Sequence, residues 1–549
     1  MSLNAICELG VIGLTSIGQS LAAHHATQQR RVCVYDYDDP SFVPQVIKEY
    51  RSSTEQDDDT ALNVDPTRVH PSRCMVASSS IGEFTQIISI PRTIIIFGTH
   101  GDDKKFGDIW DKLRANLTRG DMVLRWGEEE GTVLTSPSDQ GNLQFYTESI
   151  VGNLSKLQAE PLGVHLLEMV KMEQDRATIV KESISQDLFV VGGAKDAFDH
   201  FSSYILPFAS IGHMGSSAAC AHYARMVQRA VEFAMAQCLA EGCDLLKRAA
   251  LYENQDIGLT LKKWQEGGGI VSSYLVEISS KIYYKRDGIS KKGHVIDHII
   301  DSIDLGNGAD TWFSLEATKL GVPAPTINAA LEARFMSNMK NEREDASSIL
   351  GAPEGADTPS VLKDQIAEDL QGAIYSAWMC VMAEGLSVFA AAAEEGQWNI
   401  DLAECTQLWN LPTSFLKSDM LEKIQSALSE SQGHVQNVLL LPSIASQLQE
   451  THMSWRRIVT LCFASAVPCP CLGASLTYYD SYRSKLLPSS LIRAQRDFFG
   501  GYGYDRFNEE GWYSSCWVQQ HTDILKKATK KSEKGNDDTN TTKKKRKTK

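Results

Sequence analysis

The sequence predicts an α/β domain at the N-terminus followed by a large all-α domain, and three features carry that expectation. The first is a short apolar strand, Leu9 to Ile12, that runs into Gly13-Leu-Thr15-Ser-Ile-Gly18 and then into a helix through Leu21 and Ala23. Strand, glycine turn and helix in that order open a Rossmann-like dinucleotide-binding unit. The second is a series of further short apolar strands, at Val32 to Tyr35, Thr93 to Phe97, Met122 to Leu124 and Leu188 to Val191. The third is helical spacing of apolar residues along Ser216 to Arg248 and again along Leu362 to Glu394.

A chain of 549 residues is too long for one core, so the expected organisation is a Rossmann-like domain over 1–205, a helical domain over 206–515 and a basic, disordered tail over 516–549. The formal charge is −15. Lys526 to Lys549 holds eleven basic residues against Glu533, Asp537 and Asp538, and taking that +8 from −15 leaves about −23 for the body. An acidic body does not attract nucleic acid. The Lys543-Lys-Lys-Arg-Lys547 run reads either as a solvated tail or as a nuclear import signal, the former being favoured. Twelve cysteines without paired CxxC spacing argue for reduced thiols in the cytosol or nucleus, and for no metal centre. The first strand begins too early for a signal or transit peptide, and no apolar run approaches about 20 residues, so no membrane is expected.

Within the first domain each residue type has a stated task. Gly13 permits the tight turn, Gly18 lets helix and strand approach, and Thr15 replaces the middle glycine of the fingerprint. The helix N-terminus that follows offers N–H groups to a pyrophosphate. Asp36 ends the second strand 23 residues beyond Gly13, where a carboxylate accepts from a ribose 2′-hydroxyl and repels a 2′-phosphate; NAD is therefore favoured over NADP. The competing reading is a solvated acidic loop without a cofactor. Arg51 to Ser80 is Asp-rich and without periodicity, hence a surface insertion. Gly98 opens a turn that could approach a cofactor, and Met169 to Arg176 reads as helical.

The stretch Ser216 to Arg248 reads as one long, largely buried helix whose polar residues His222, Arg225, Arg229 and Glu232 share one side. Such a stripe is either a salt-bridged face or an active site. The order His222-Tyr-Ala-Arg-Met-Val-Gln-Arg-Ala-Val-Glu-Phe233 resembles the catalytic helix of the decarboxylating 6-phosphogluconate dehydrogenases. A longer resemblance lies in Ser454-Trp-Arg-Arg457, Pro468-Cys-Pro-Cys471, Leu476 to Arg483 and Leu487 to Gly500. The likeness spans roughly residues 5 to 515 and implies that family's fold, an NADP cofactor, a phosphorylated sugar acid as ligand, and a homodimer whose C-terminal segment crosses to its partner.

Residue by residue, the resemblance puts Glu232 where the family keeps its acid and Arg225 where it carries its catalytic lysine. Gln228 and Arg229 stand for a His and an Asn, Glu128 for an Asn that touches cofactor and substrate, and Thr311 for a Lys. Arg334 falls at an arginine for the substrate phosphate, though it could equally pair with a helix carboxylate. Arg496 falls at an arginine that binds the partner's substrate phosphate, and Tyr502 replaces a histidine. A guanidinium stays protonated below a pKa of about 12 and offers no acceptor, so Arg225 is a poor base. The favoured expectation is therefore a family member without turnover, acting in the cytoplasm as a binding, regulatory or dimer-partner protein. It would pair either with itself or with a catalytically complete paralogue. The alternative is an active dehydrogenase converting 6-phosphogluconate and NAD(P) to ribulose 5-phosphate, carbon dioxide and reduced cofactor.

Overall fold

The computed structural model describes residues 6–56, 73–98, 103–126, 165–173, 188–266, 268–303, 308–351, 353, 363–411, 414–431, 435–515 and 517. By its internal contacts the chain divides into a unit over Met1–Tyr478 and a second over Tyr479–Lys549.

An eight-stranded sheet opens the first unit, in the order β3-β2-β1-β4-β5-β6-β7-β8. The strands are β1 (Leu9–Ile12), β2 (Val32–Tyr35), β3 (Met75–Ala77), β4 (Thr93–Ile96), β5 (Met122–Trp126), β6 (His165–Glu173), β7 (Leu188–Gly192) and β8 (Ser210–His213). All neighbouring pairs are parallel except β6 with β7. β1, β2, β4, β5 and β7 are buried along their whole length, as continuous apolar runs in a sheet covered on both faces should be. One layer gathers Leu9, Val11, Val34, Leu124 and Phe189, the other Ile12, Ile94, Ile96, Phe84 and Trp110.

Two expectations are corrected here. Of the stretch expected to be helical, Met169 to Glu173 belongs to strand β6, paired parallel to β5 and antiparallel to β7, with Leu167 and Met169 fully buried, and residues 174–176 lie outside the described residues. Pairing on both sides outweighs the helix propensity of its charged residues. The expected insertion over 51–80 is not irregular throughout, since helix Val43–Gln56 enters it and β3 closes it; residues 57–72 lie outside the described residues, as does the tail beyond 517. The sheet also reaches β8 at His213, beyond residue 205.

The helical part is organised around helix Ala219–Arg248 and helix Lys363–Gly396, which run antiparallel. Trp378 donates its indole N–H to the Met235 carbonyl at 2.9 Å. A Cβ on Gly385 would stand 2.5 Å from Val231 Cγ2, so the small residue is what lets the helices approach. Helix Lys363–Gly396 is by length and composition apolar enough to cross a membrane, but 83% of its most apolar window is buried within the chain, as in a core helix. The same two helices supply buried carboxylates to neighbouring helix starts. Glu384 accepts from Thr326 N, Ile327 N and the Thr326 hydroxyl at the start of helix Pro325–Asn338. Glu241 accepts from Cys471 N and Leu472 N at the start of helix Pro470–Tyr482. Orphan N–H groups of two helices are thereby satisfied in the interior.

The second unit is described by helix Ser489–Gly500 and a short antiparallel pair, Tyr504–Asp505 with Trp512–Tyr513. Asp497 is its buried centre, accepting from Gly503 N, Ser515 N and the Trp517 indole.

Candidate active site

The crevice lies at the carboxyl ends of β1, β2 and β4, where a strand order that reverses at β1 leaves room between neighbouring connections. Gly13 has φ of 86°, and a Cβ there would sit 2.5 Å from the Phe97 carbonyl oxygen. A Cβ on Gly18 would sit 2.5 Å from the Gly13 oxygen, so both fingerprint glycines are required by backbone approach. Thr15 is the N-cap of helix Ser16–Thr27, its hydroxyl accepting from Gly18 N at 3.2 Å. That cap gives the larger residue at the middle glycine's position a local role. Gly98 takes φ of 68°, and its Cβ position lies 3.2 Å from the Thr15 methyl.

Asp36 closes the far side of this loop. Its carboxylate accepts from Leu14 N at 2.8 Å, and from Asp38 N and Asp39 N at 3.0 and 2.9 Å. Lys105 spans the rim, donating to Asp38 at 2.6 Å and to the Gly98 carbonyl at 2.9 Å. The glycines, the helix start and Asp36 fit a dinucleotide, while Asp36, Asp38 and Asp39 set three acids against one lysine where a 2′-phosphate would lie. Glu128 is outside the described residues.

The second constellation flanks helix Ala219–Arg248. The sheet fixes where this helix starts: a Cβ on Gly192 at the end of β7 would stand 2.5 Å from the Ser217 carbonyl. His222, Arg225 and Arg229 are half-buried, and Gln228 and Glu232 are buried. Arg229 meets Glu232 Oε2 at 3.4 Å. Glu232 is 5% exposed, and its Oε1 meets no hydrogen-bond donor among the described residues. A buried carboxylate oxygen of that kind is suited to a ligand hydroxyl.

Arg334, on helix Pro325–Asn338, pairs with Asp310 at 2.5 Å and lies over the Phe233 ring at 5.0 Å. Asp310 is the helix carboxylate that the sequence left open as its partner. Burial pushes the Asp310 carboxyl up, the guanidiniums of Arg334 and Arg229 pull it back, and Glu232 adds to the rise. Arg229, Glu232, Asp310 and Arg334 thus form one charged group. Thr311 and Trp312 are next along helix Ala309–Leu320, and Trp312 packs edge-on against Tyr223 at 5.9 Å.

Arg225, Glu232 and Arg334 therefore come from two helices of the first unit, whereas Arg496 and Tyr502 lie in the second, where Arg496 sits over the Tyr502 ring at 5.0 Å. Asp310 is the residue that reading the sequence missed. Its signal was available as an acid in the first turn of a helix, one residue before Thr311.

The family profile described as "6-phosphogluconate dehydrogenase, C-terminal domain" matches residues 221–517. The chain is 27% identical over 523 residues to the Staphylococcus aureus protein named "6-phosphogluconate dehydrogenase, decarboxylating", covering 93% of this chain and 99% of that one. It is 31% identical over 342 residues to "6-phosphogluconate dehydrogenase, decarboxylating 2" of Arabidopsis thaliana, covering 60% and 68%. A solved structure of Plasmodium falciparum 6-phosphogluconate dehydrogenase shares the fold at a TM-score of 0.72 and 24% identity, over 93% of this chain and 100% of that one. With a family profile matching more than half its length and a relative 31% identical to it, the chain belongs to the 6-phosphogluconate dehydrogenase family.

Proposed function

We propose that this protein is a family member without turnover that acts through binding, as a regulatory or dimer-partner protein. The observation that carries the reading is Arg225, half-buried on the side of the helix that holds Glu232, at the position of the family's lysine. Proton abstraction from a substrate hydroxyl needs a group that can be neutral near pH 7, and removal of such a base costs about 10²- to 10⁴-fold. A guanidinium can orient an anion there but cannot take the proton.

NAD is the dinucleotide this crevice favours, because Asp36, Asp38 and Asp39 repel a 2′-phosphate; the Plasmodium protein, by contrast, has been solved with NADP as its cofactor. The partner is a second copy of the chain or a catalytically complete paralogue. Leu491, Ile492, Phe498, Phe499 and Phe507 stand exposed in the second unit, more apolar surface than so small a unit should leave to water. The eleven described cysteines are buried free thiols, which suits the cytoplasm.

Titration calorimetry with NAD, NADP and 6-phosphogluconate, followed by absorbance of reduced cofactor, tests the reading. Binding of NAD without its reduction is expected. Reduction of either cofactor by 6-phosphogluconate would overturn it and favour the second reading, an active dehydrogenase with another base. The retained Glu232, with a buried oxygen that meets no donor among the described residues, is the observation on that reading's side.

A further inference from the structure

Five charged side chains gather on one flank of helix Ala219–Arg248: Arg225, Arg229 and Glu232 on it, Asp310 and Arg334 from the two helices beside it. The ion pair of Arg334 with Asp310 is largely out of water, with side chains 14% and 9% exposed. Phe233 covers one face of the Arg334 guanidinium. Charges held in this way interact far more strongly than on a wet surface, and what one of them holds it does not readily release.

We propose that Asp310 is a specificity-determining residue: by holding Arg334 from within the chain it closes this cationic end to phosphate, so that the site takes a polyhydroxy acid whose far end is uncharged. The proposal rests on the reading of this flank as the ligand site. A phosphate group reaching Arg334 must either displace Asp310, leaving a buried carboxylate without its cation, or lie beside it and meet like charge. A hydroxyl end does neither. It can donate to the Glu232 oxygen that meets no donor among the described residues.

The test compares the full-length wild type with Asp310→Asn, which keeps the size and removes the charge. Calorimetry uses gluconate, 6-phosphogluconate and inorganic phosphate as probes. The variant is expected to bind 6-phosphogluconate roughly tenfold or more tighter than the wild type, while gluconate affinity stays alike. A double variant, Asp310→Asn with Arg334→Met, should lose that gain. Should the single variant not fold alone, its thermal midpoint with 6-phosphogluconate or phosphate replaces affinity, and recovery by these but not by gluconate is the supporting result. Wild type that already binds 6-phosphogluconate as tightly as the variant, a gain that survives loss of Arg334, or a variant indifferent to phosphate would each overturn the proposal. The first of these outcomes, without reduction of a cofactor, leaves the non-catalytic reading intact. Reduction of cofactor would sink that reading instead.

Discussion

The crevice at the strand ends and the charged flank of helix Ala219–Arg248 treat their polar groups in opposite ways. In the crevice the central carboxylate is held by backbone: Asp36 takes N–H groups from Leu14, Asp38 and Asp39, and the lysine that pairs with Asp38 at the rim is near water. On the helix flank, carboxylates are held by guanidiniums in the interior, Glu232 by Arg229 and Asp310 by Arg334. Backbone donors hold the acid in place without neutralising it and leave the glycine turn's geometry as the feature that matters. Buried ion pairs settle a site's charge in advance, so exchanging one residue changes which ligand is admitted. The crevice can therefore be kept by retaining a few glycines, whereas the charge of the helix flank can be altered by a single acid.

The largest effect should come from breaking the crevice. Gly13→Val places a branched side chain at φ of 86° with its Cβ 2.5 Å from the Phe97 carbonyl, a clash with backbone that no rotamer relieves. A loss of more than about 4 kcal/mol is expected, seen as a collapse of soluble yield and of the urea midpoint. A variant that unfolds within about 1 kcal/mol of the wild type would mean that the loop is not held as described.

That contrast also explains what could be read in advance. Gly13, Gly18 and Asp36 carry local signals, because a turn that excludes a Cβ and a strand end that faces a crevice are properties of a few consecutive residues. The long helix at 219–248 was legible for the same reason, its apolar period running for eight turns. Strand β6 was not, since Leu167 and Met169 alternate among charged residues in a pattern that also suits a helix, and β5 and β7 decide the matter from outside. Asp310 and Arg334 are 24 residues apart, and nothing in either neighbourhood announces that they meet. Charge on this flank is a tertiary property even where the helix that carries it is not.

A second test sharpens the interior side of the comparison through pH. Burial pushes the Glu384 carboxyl from its ordinary 4.5 up to about 7, against the pull of the Thr326 and Ile327 donors. Between those values the native protein holds a proton that the unfolded chain has released, so stability falls as pH rises from 4.5 to about 7, and the loss is complete above that. The window corresponds to about 3 kcal/mol. Glu384→Gln has no such proton to lose. Urea unfolding at pH 5 and pH 7.5 should show the wild type losing about 2.5 kcal/mol relative to the variant over that interval. Equal pH slopes would show that Glu384 titrates as an ordinary carboxylate.

The smallest effect on stability belongs to the crevice rim. Lys105 and Asp38 are 21% and 69% exposed, so their ion pair contributes at most about 1 kcal/mol, and Lys105→Ala should shift the thermal midpoint little. Its effect on ligand choice should be larger than its effect on folding. Without Lys105 the three acids at the end of β2 lose the cation that bridges Asp38 to the Gly98 carbonyl, and any 2′-phosphate meets them unscreened. Titration with NAD and NADP at low salt should show NADP weakened and NAD nearly unchanged, with the difference shrinking as salt is added. A parallel loss for both dinucleotides would instead make Lys105 a support of the crevice wall. In that case the rim would behave like the helix flank, with a side-chain ion pair holding the geometry that the backbone is otherwise held to supply.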